Sequence, residues 1–218
     1  MEVCTTMQAG VANTTITPRC PIWMTGFAAR TAPAESVYAD IEASAVVFES
    51  GGKRAAIIAL DLVGVDEYLL DAFRASAAEL GIPEDCTLVN CSHTHCAPSC
   101  RVVRGSNRHF DETWLSELKD TVAALLRRAL TELQPSEIDY SVGSCTLGIN
   151  RRRVDPTGAA AGMLPDADKP VDLDVPVLRV LGPDGAPRAM IFSYASHPTT
   201  MGGQQIGPDY PGPAREHI

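Results

Sequence analysis

The sequence has no apolar run long enough to cross a membrane. Its longest strictly apolar stretch covers only six residues, 55–60, whereas a membrane-spanning helix needs roughly 20. The first ten residues also lack the basic and apolar regions of a secretory signal peptide. The sequence therefore predicts no transmembrane segment, and a cytoplasmic location is the expectation.

Basic residues are too few to favour binding to polyanions. The chain has 18 lysines and arginines against 27 aspartates and glutamates, a formal net charge of −9, and a pI near 5.0. This charge repels phosphate backbones, so nucleic acid is not an expected partner. Internal repeats and low-complexity tracts are absent as well. A length of 218 residues with 45% hydrophobic content fits one globular domain spanning residues 1–218.

Several familiar catalytic motifs are also missing. The sequence contains no G-x-S-x-G nucleophile elbow, no Walker loop and no dinucleotide-binding fingerprint in a suitable context. Cysteine and histidine neighbours do occur, but adjacency in sequence is not the geometry of a thiol protease. None of these motifs therefore indicates a function for the chain.

The cysteines are odd in number, and a chain of this length does not need disulfides to fold. The seven are Cys4, Cys20, Cys86, Cys91, Cys96, Cys100 and Cys145. We expect them to be mainly reduced thiols. An alternative takes Cys91, Cys96 and Cys100 as ligands of a structural zinc ion, although the usual paired C-x-x-C spacing is absent.

Hydrophobic periodicity predicts strands that alternate with helices. Strands are expected at residues 11–17, 41–49, 54–60, 86–90, 138–147, 175–181 and 189–195. Helices are expected at residues 66–80 and 111–133, with another opening at residue 214, and residues 151–174 form a long polar loop. The apolar run 54–60 suits a central strand buried on both faces. The predicted fold class is α/β, with a mixed, largely central β-sheet flanked by helices and incomplete at the C-terminus.

Two histidines follow the strand predicted at residues 86–90. The H-x-H spacing puts His93 and His95 on the same side of an extended segment, roughly 6 to 7 Å apart. Two imidazoles so placed can converge on one zinc ion, which binds neutral imidazole in a tetrahedral set. Alternatively, the histidines end a strand with ordinary hydrogen bonds. The motif supplies half of a zinc site and leaves both interpretations open.

A third histidine, His197, ends another predicted strand. Parallel strands bring their carboxyl ends to one edge of a sheet, so we expect His197 to join the first two histidines there. His109 and His217 are expected at the surface. Asp61, at a further strand end, is a candidate to orient a ligand imidazole, although helix capping or loop hydrogen bonding explains it equally well.

Three consecutive arginines, residues 151–153, follow the strand predicted to end at residue 147. Such a run is usually solvated or paired with acids such as Asp172 and Asp174. The functional interpretation places Arg151 in the cleft, where its guanidinium stabilises an oxyanion or holds a carbonyl or carboxylate. Spacing does not decide between the two.

These residues together resemble the family of neutral/alkaline non-lysosomal ceramidases. Residues 92–98 are similar to the T/S-H-T-H-S-G-P segment of that family. Other segments agree with the family in the same order: residues 16–18 with 24–28, 59–62, 149–151 and 197–201. Each motif is weak alone, but five in the family order are specific, and the resemblance covers nearly the whole chain.

The resemblance implies a zinc-dependent hydrolase that splits the amide bond of ceramide (N-acylsphingosine) into sphingosine and a fatty acid. It implies that His93 and His197 are metal ligands, that His95 contacts substrate or moves protons, and that Arg151 faces the reacting group. Zn²⁺ is the implied cofactor, because it polarises a carbonyl and lowers the pKa of water. The implied partner is a small-molecule or lipid amide substrate.

The family pattern also extends further than this sequence. The family completes its zinc site with a glutamate and a tyrosine that lie beyond residue 218 in the family order, so a C-terminally truncated chain is expected. Two alternatives remain: a metallohydrolase of another small amide or ester, and an inactive fragment whose histidines are structural. In the second, the rings of His93 and His197 would lie more than about 8 Å apart, since imidazoles on one zinc lie much closer.

Overall fold

The computed structural model describes residues 7–100, 110–159 and 161–218. The strands are β1 Gln8–Thr15, β2 Ser36–Val37, β3 Glu42–Ser50, β4 Lys53–Leu60, β5 Thr87–Cys91, β6 Gln134–Pro135, β7 Glu137–Ser144, β8 Asp174–Leu181, β9 Pro187–Phe192 and β10 Gln205–Ile206. The helices are α1 Glu67–Glu79, α2 Glu112–Thr131 and α3 Pro211–Glu216, with a short 3₁₀ turn at Glu84–Cys86. The predicted mixed α/β fold is confirmed.

The larger sheet has five strands in the order β5-β4-β3-β1-β6. Strands β3 and β4 form the predicted hairpin, and Gly51 and Gly52 adopt positive φ angles of 58° and 74° in its turn. Strand β5 joins β4 in parallel, with Leu60 opposite Cys91. The ends of β4 and β5 therefore lie side by side, at the edge from which His93 and His95 emerge.

Two helices cover one face of this sheet. Asp66 caps the start of α1, where its carboxylate accepts the Leu69 N–H at 3.1 Å, and Asp111 caps the start of α2, where its carboxylate accepts the Trp114 N–H at 2.9 Å. The predicted apolar stripe of α2 is buried as expected: Trp114, Leu118, Val122, Leu125 and Leu126. Burying each large apolar side chain of this stripe contributes about 1.5 to 3 kcal/mol, which anchors the helix layer to the sheet.

A second, antiparallel sheet in the order β7-β8-β9 faces the other side. The two sheets meet at Ala9, Val46 and Val180, which form a small buried cluster. Elsewhere a cleft of about 650 Å³ lies between them, and Ile57 and Ala59 of β4 line it. The prediction that residues 54–60 are buried on both faces is therefore only half right, because the helix-facing side chains of β4 are buried whereas the cleft-facing ones are partly exposed.

The chain ends in α3, which begins at Pro211 rather than at residue 214 as predicted. Proline is favoured in the first turn of a helix because the N–H it lacks would have no partner there. Arg215 of this helix donates two hydrogen bonds to Asp61, at 2.8 and 2.6 Å. This pair fastens α3 to the end of β4.

The long loop predicted at residues 151–174 lies between β7 and β8. Within the described part of the chain, no helix is both long and apolar enough to span a membrane.

Candidate metal site

Three histidines form a compact cluster at one end of the two sheets. The ring centroids of His93 and His95 are 5.1 Å apart, those of His93 and His197 are 4.7 Å apart, and those of His95 and His197 are 4.6 Å apart. One nitrogen from each ring lies within 4.8 Å of the other two. Among the described residues this is the only group of three or more histidine, cysteine or acidic side chains close enough to hold a metal ion.

The histidines converge by a different route from the predicted one. We expected all three at the edge of a single parallel sheet, but His93 and His95 follow β5 of the five-stranded sheet whereas His197 follows β9 of the antiparallel sheet. The 4.7 Å separation of the His93 and His197 rings is well below the 8 Å expected for structural histidines. The cluster therefore forms where the two sheets adjoin.

His93 is held in a strained and well-defined position. Its backbone has φ 66°, in the left-handed region that non-glycine residues rarely adopt. Its N–H donates to the Leu62 carbonyl at 2.9 Å, and its ring Nδ1 lies 2.6 Å from the Val63 carbonyl oxygen. A carbonyl can only accept, so Nδ1 carries the proton and Nε2 keeps its lone pair. This tautomer is the one that a metal-binding histidine needs.

His95 and His197 face each other through their Nε2 atoms, which are 2.8 Å apart. The Nδ1 atom of His95 is buried without a hydrogen-bond partner among the described residues, and Phe27 packs edge-on against the ring with a 5.0 Å centroid distance. A proton on Nδ1 would leave a buried N–H unpaired, which is rare in proteins. His95 therefore keeps its proton on Nε2 and donates it to Nε2 of His197.

The arrangement suits a metal ion. Imidazole nitrogens that share one zinc at about 2.0 to 2.1 Å lie roughly 3.3 Å apart, so the nitrogens need to move by only about 1.5 Å. Burial lowers the pKa of His95 to about 4, aided by the charges of His197, His93, Arg30 and Arg151. Burial, then the charges of His93 and Arg151, also lowers the pKa of His197. Neutral imidazoles are the form that binds metal, so little proton release opposes binding.

The low pKa of His95 predicts a specific pH dependence for the metal-free chain. Unfolded histidine titrates near pH 6.5, so the unfolded state binds this proton between about pH 6.5 and 4 whereas the folded state does not. The free energy of unfolding should therefore fall as the pH falls through this window. Urea denaturation at pH 7, 5.5 and 4.5 measures it, and the variant His95→Gln should show a shallower decline. Equal declines, or an NMR titration of His95 near pH 6.5, would contradict this assignment.

Arg151 lies close enough for its charge to act on both His95 and His197. It is half-buried, whereas Arg152 and Arg153 are exposed. The ion pairs within residues 7–100, 110–159 and 161–218 involve none of these three arginines. The alternative in which the run pairs with acidic neighbours is therefore not what the described residues show, and Arg151 is the one arginine of the three whose charge acts on the cluster.

Sequence reasoning missed Arg30, which ties three segments together at the site. One of its Nη atoms donates to the carbonyls of Thr25 and His95, each at 3.0 Å, and the other donates to Gly203 at 3.0 Å. The guanidinium also lies 5.1 Å from the centroid of the Phe27 ring. Only the family resemblance of residues 24–28 points to this region, because isolated arginines carry no spacing signal.

Gly26 is the second residue that sequence reasoning left without a role. Its φ is 109°, and a Cβ built there would lie 2.5 Å from Cγ of His95. Contacts shorter than 3.0 Å are not tolerated by real side chains. Glycine at position 26 therefore leaves the space that the His95 ring occupies.

Asp61 does not orient an imidazole. Its carboxylate is 1% exposed, binds Arg215 as described above, and accepts the Glu42 N–H at 3.0 Å. Neither helix capping nor hydrogen bonding within a loop describes it either, because its partners lie in α3 and at the start of β3. Of the other two histidines, His217 is exposed as expected, and the expectation for His109 lies outside the described residues.

The cysteine-based zinc alternative also fails. Burial raises the pKa of Cys91 to about 12 and raises that of Cys100 further above its ordinary value. Among the described residues, none of Cys91, Cys96 and Cys100 belongs to the one group of ligating side chains close enough to hold a metal ion. The six described cysteines are free thiols: Cys20, Cys86, Cys91, Cys96, Cys100 and Cys145.

Comparisons with known proteins bear on this fold. No protein-family model matches the sequence, and no protein of curated function matches it. Among solved structures, neutral ceramidase from Pseudomonas aeruginosa superposes with a TM-score of 0.80 at 20% identity, over 98% of this chain and 36% of that one. A ceramidase complexed with C2 gives a TM-score of 0.79 at 20% identity, over 98% and 35%. The chain thus spans about a third of the length of these proteins, and over nearly all of its own length it has the fold of neutral ceramidase.

Proposed function

We propose that this chain carries the zinc-binding part of an amide hydrolase of the ceramidase type. The observation that carries the proposal is the convergence of His93, His95 and His197, with the proton of His93 fixed on Nδ1 by Val63. The shared fold with neutral ceramidase supports the same assignment. The proposed reaction is N-acylsphingosine plus water giving sphingosine and a fatty acid.

The three histidines take different roles in this proposal. His93 and His197 are the zinc ligands, since both rings are exposed and both can offer Nε2 as a lone pair. Bound zinc would supply Lewis acidity, polarising the amide carbonyl and lowering the pKa of a nearby water. If Nε2 of His197 binds zinc, its lone pair can no longer accept the hydrogen bond from the Nε2–H of His95. This N–H is then available to donate to the substrate.

His95 acts as a neutral hydrogen-bond donor rather than as an imidazolium. Its pKa of about 4 keeps it uncharged at neutral pH, and a neutral N–H donor can stabilise the negative charge that develops on the carbonyl oxygen. Arg151 supplies a permanent positive charge close enough to act on both His95 and His197. Together these two residues would stabilise the oxyanion that amide hydrolysis generates.

Metal analysis and a substrate panel test this function. The purified protein should contain about one zinc ion per molecule by elemental analysis. It should also release fatty acid from ceramide, lose this activity with a chelator, and regain it when zinc is returned. A zinc-free chain, or hydrolysis that survives complete metal removal, would contradict the proposal.

The substrate panel should also contain a short-chain amide and an ester of the same acyl group. Preference for ceramide over both supports the lipid amide as the substrate. Zinc-dependent hydrolysis of the short amide or ester alone would instead identify a metallohydrolase of small molecules.

A further inference from the structure

The buried carboxylate of Asp209 accepts hydrogen bonds from the backbone just after His197. Asp209 is 1% exposed. One of its oxygens accepts the hydroxyl of Thr200 at 2.6 Å and the N–H groups of Thr200 and Tyr210 at 3.3 and 2.7 Å. The other oxygen accepts the Met201 N–H at 2.8 Å. Four donors thus satisfy one carboxylate, and two of them are backbone groups three and four residues beyond His197.

The next residue, Tyr210, forms a hydrogen bond with the backbone just before His197. The Tyr210 hydroxyl donates to the carbonyl of Ser196 at 2.8 Å. The His197 carbonyl itself accepts the Thr199 N–H at 2.8 Å, so the segment turns back tightly between the two attachment points. One dipeptide therefore holds both ends of the segment 196–201.

We propose that Asp209 and Tyr210 are positioning residues that hold the 196–201 segment so that the His197 ring meets those of His93 and His95. The part of this proposal that concerns zinc affinity rests on the proposed function. The part that concerns the segment itself does not, because it can be measured in the metal-free chain.

The backbone conformation of Asp209 also helps to place its side chain and that of Tyr210. It has φ 56°, a left-handed conformation that costs a non-glycine residue free energy. Its N–H donates to the Tyr38 hydroxyl at 2.8 Å, which holds the residue in that conformation. The strain is maintained because the conformation directs the carboxylate to Thr200 and Met201 while the Tyr210 side chain points to Ser196. Neither residue touches the imidazoles directly, so both act through the segment they hold.

The variants Asp209→Asn and Tyr210→Phe test the proposal with small changes in shape. Asparagine places an NH₂ group where an oxygen accepts a donor, and phenylalanine removes only the hydroxyl. In the metal-free chain, amide hydrogen exchange at Thr200 and Met201 should become at least about tenfold faster in Asp209→Asn, beyond any change in global stability. Zinc affinity, measured by competition with a chromophoric chelator, should fall by about 10- to 100-fold in each variant, as for other residues that orient metal ligands.

Asp111→Ala is the matched control, because it removes a hydrogen-bonded aspartate that caps α2 and touches no part of the 196–201 segment. It should lower global stability yet leave zinc affinity and Met201 exchange unchanged. Unchanged local exchange in both test variants would overturn the proposal, and so would unchanged zinc affinity alongside faster exchange. If the wild-type chain binds no zinc, the proposed function fails, and the exchange data alone decide whether Asp209 and Tyr210 hold the segment.

Discussion

Replacing His93 with alanine is expected to lower zinc affinity by more than about 100-fold and to abolish amide hydrolysis. Loss of a residue that merely orients a ligand costs about 10- to 100-fold, and His93 is proposed to be a ligand itself. Its Nε2 is the nitrogen that the Val63 hydrogen bond leaves free for the metal. Elemental analysis and chelator competition measure the loss of zinc, and fatty-acid release measures the loss of rate.

Two further histidine variants make this result specific. His217→Ala removes an exposed histidine that is not part of the cluster and should change neither zinc content nor rate. His95→Ala should keep the zinc ion but lower the rate by about 10² to 10³, the usual contribution of one hydrogen-bond donor to an oxyanion. Retention of zinc and rate by His93→Ala, or complete zinc loss in His95→Ala, would overturn the assignment of roles.

Replacing Gly26 with alanine is expected to cost about 2 to 5 kcal/mol of unfolding free energy. The new Cβ would lie 2.5 Å from Cγ and 2.7 Å from Nδ1 of His95, and the φ of 109° is almost closed to residues with a side chain. The ring of His95 must move, so its contact with His197 should be lost too. Urea denaturation measures the stability, and an NMR titration should show the pKa of His95 returning toward its ordinary value.

Gly52→Ala is the control for Gly26→Ala. Gly52 also has a positive φ, 74°, but apart from Gly52 and its two chain neighbours no atom of the described residues lies within 4 Å of the position its Cβ would take. This variant should therefore lose only about 1 kcal/mol of unfolding free energy, the cost of a side chain at a positive φ. The pKa of His95 should not change. Similar losses in both variants would mean that the close approach to His95 contributes nothing.

The helices and most strands could be predicted because their signals are local. The apolar stripe of α2 repeats at helical spacing, and Asp111 and Pro135 mark its ends, so the predicted range 111–133 is close to Glu112–Thr131. The same holds for the hairpin at Gly51 and Gly52. His93 and His197 could be singled out because each follows an apolar strand.

The contacts that complete the site could not be predicted in this way. The pairing of Asp61 with Arg215 joins positions 154 residues apart, and no spacing rule connects them. Arg30 and Gly26 matter only because the chain brings them against His95. The arrival of His197 from a second sheet also depends on how two sheets dock, and periodicity within each strand says nothing about that.

The position of the histidines between two sheets has a further consequence for the stability of the chain. The two proposed ligands, His93 and His197, are 104 residues apart in sequence (197 − 93) and belong to segments that leave different sheets. A bound ion would act as a reversible cross-link between those sheets, because it binds only when both are in place. At a free zinc concentration 100 times the dissociation constant, such a ligand adds about 2.7 kcal/mol to the unfolding free energy. The concentration of free metal would then set part of the free energy that holds the two sheets together, independently of any catalysis.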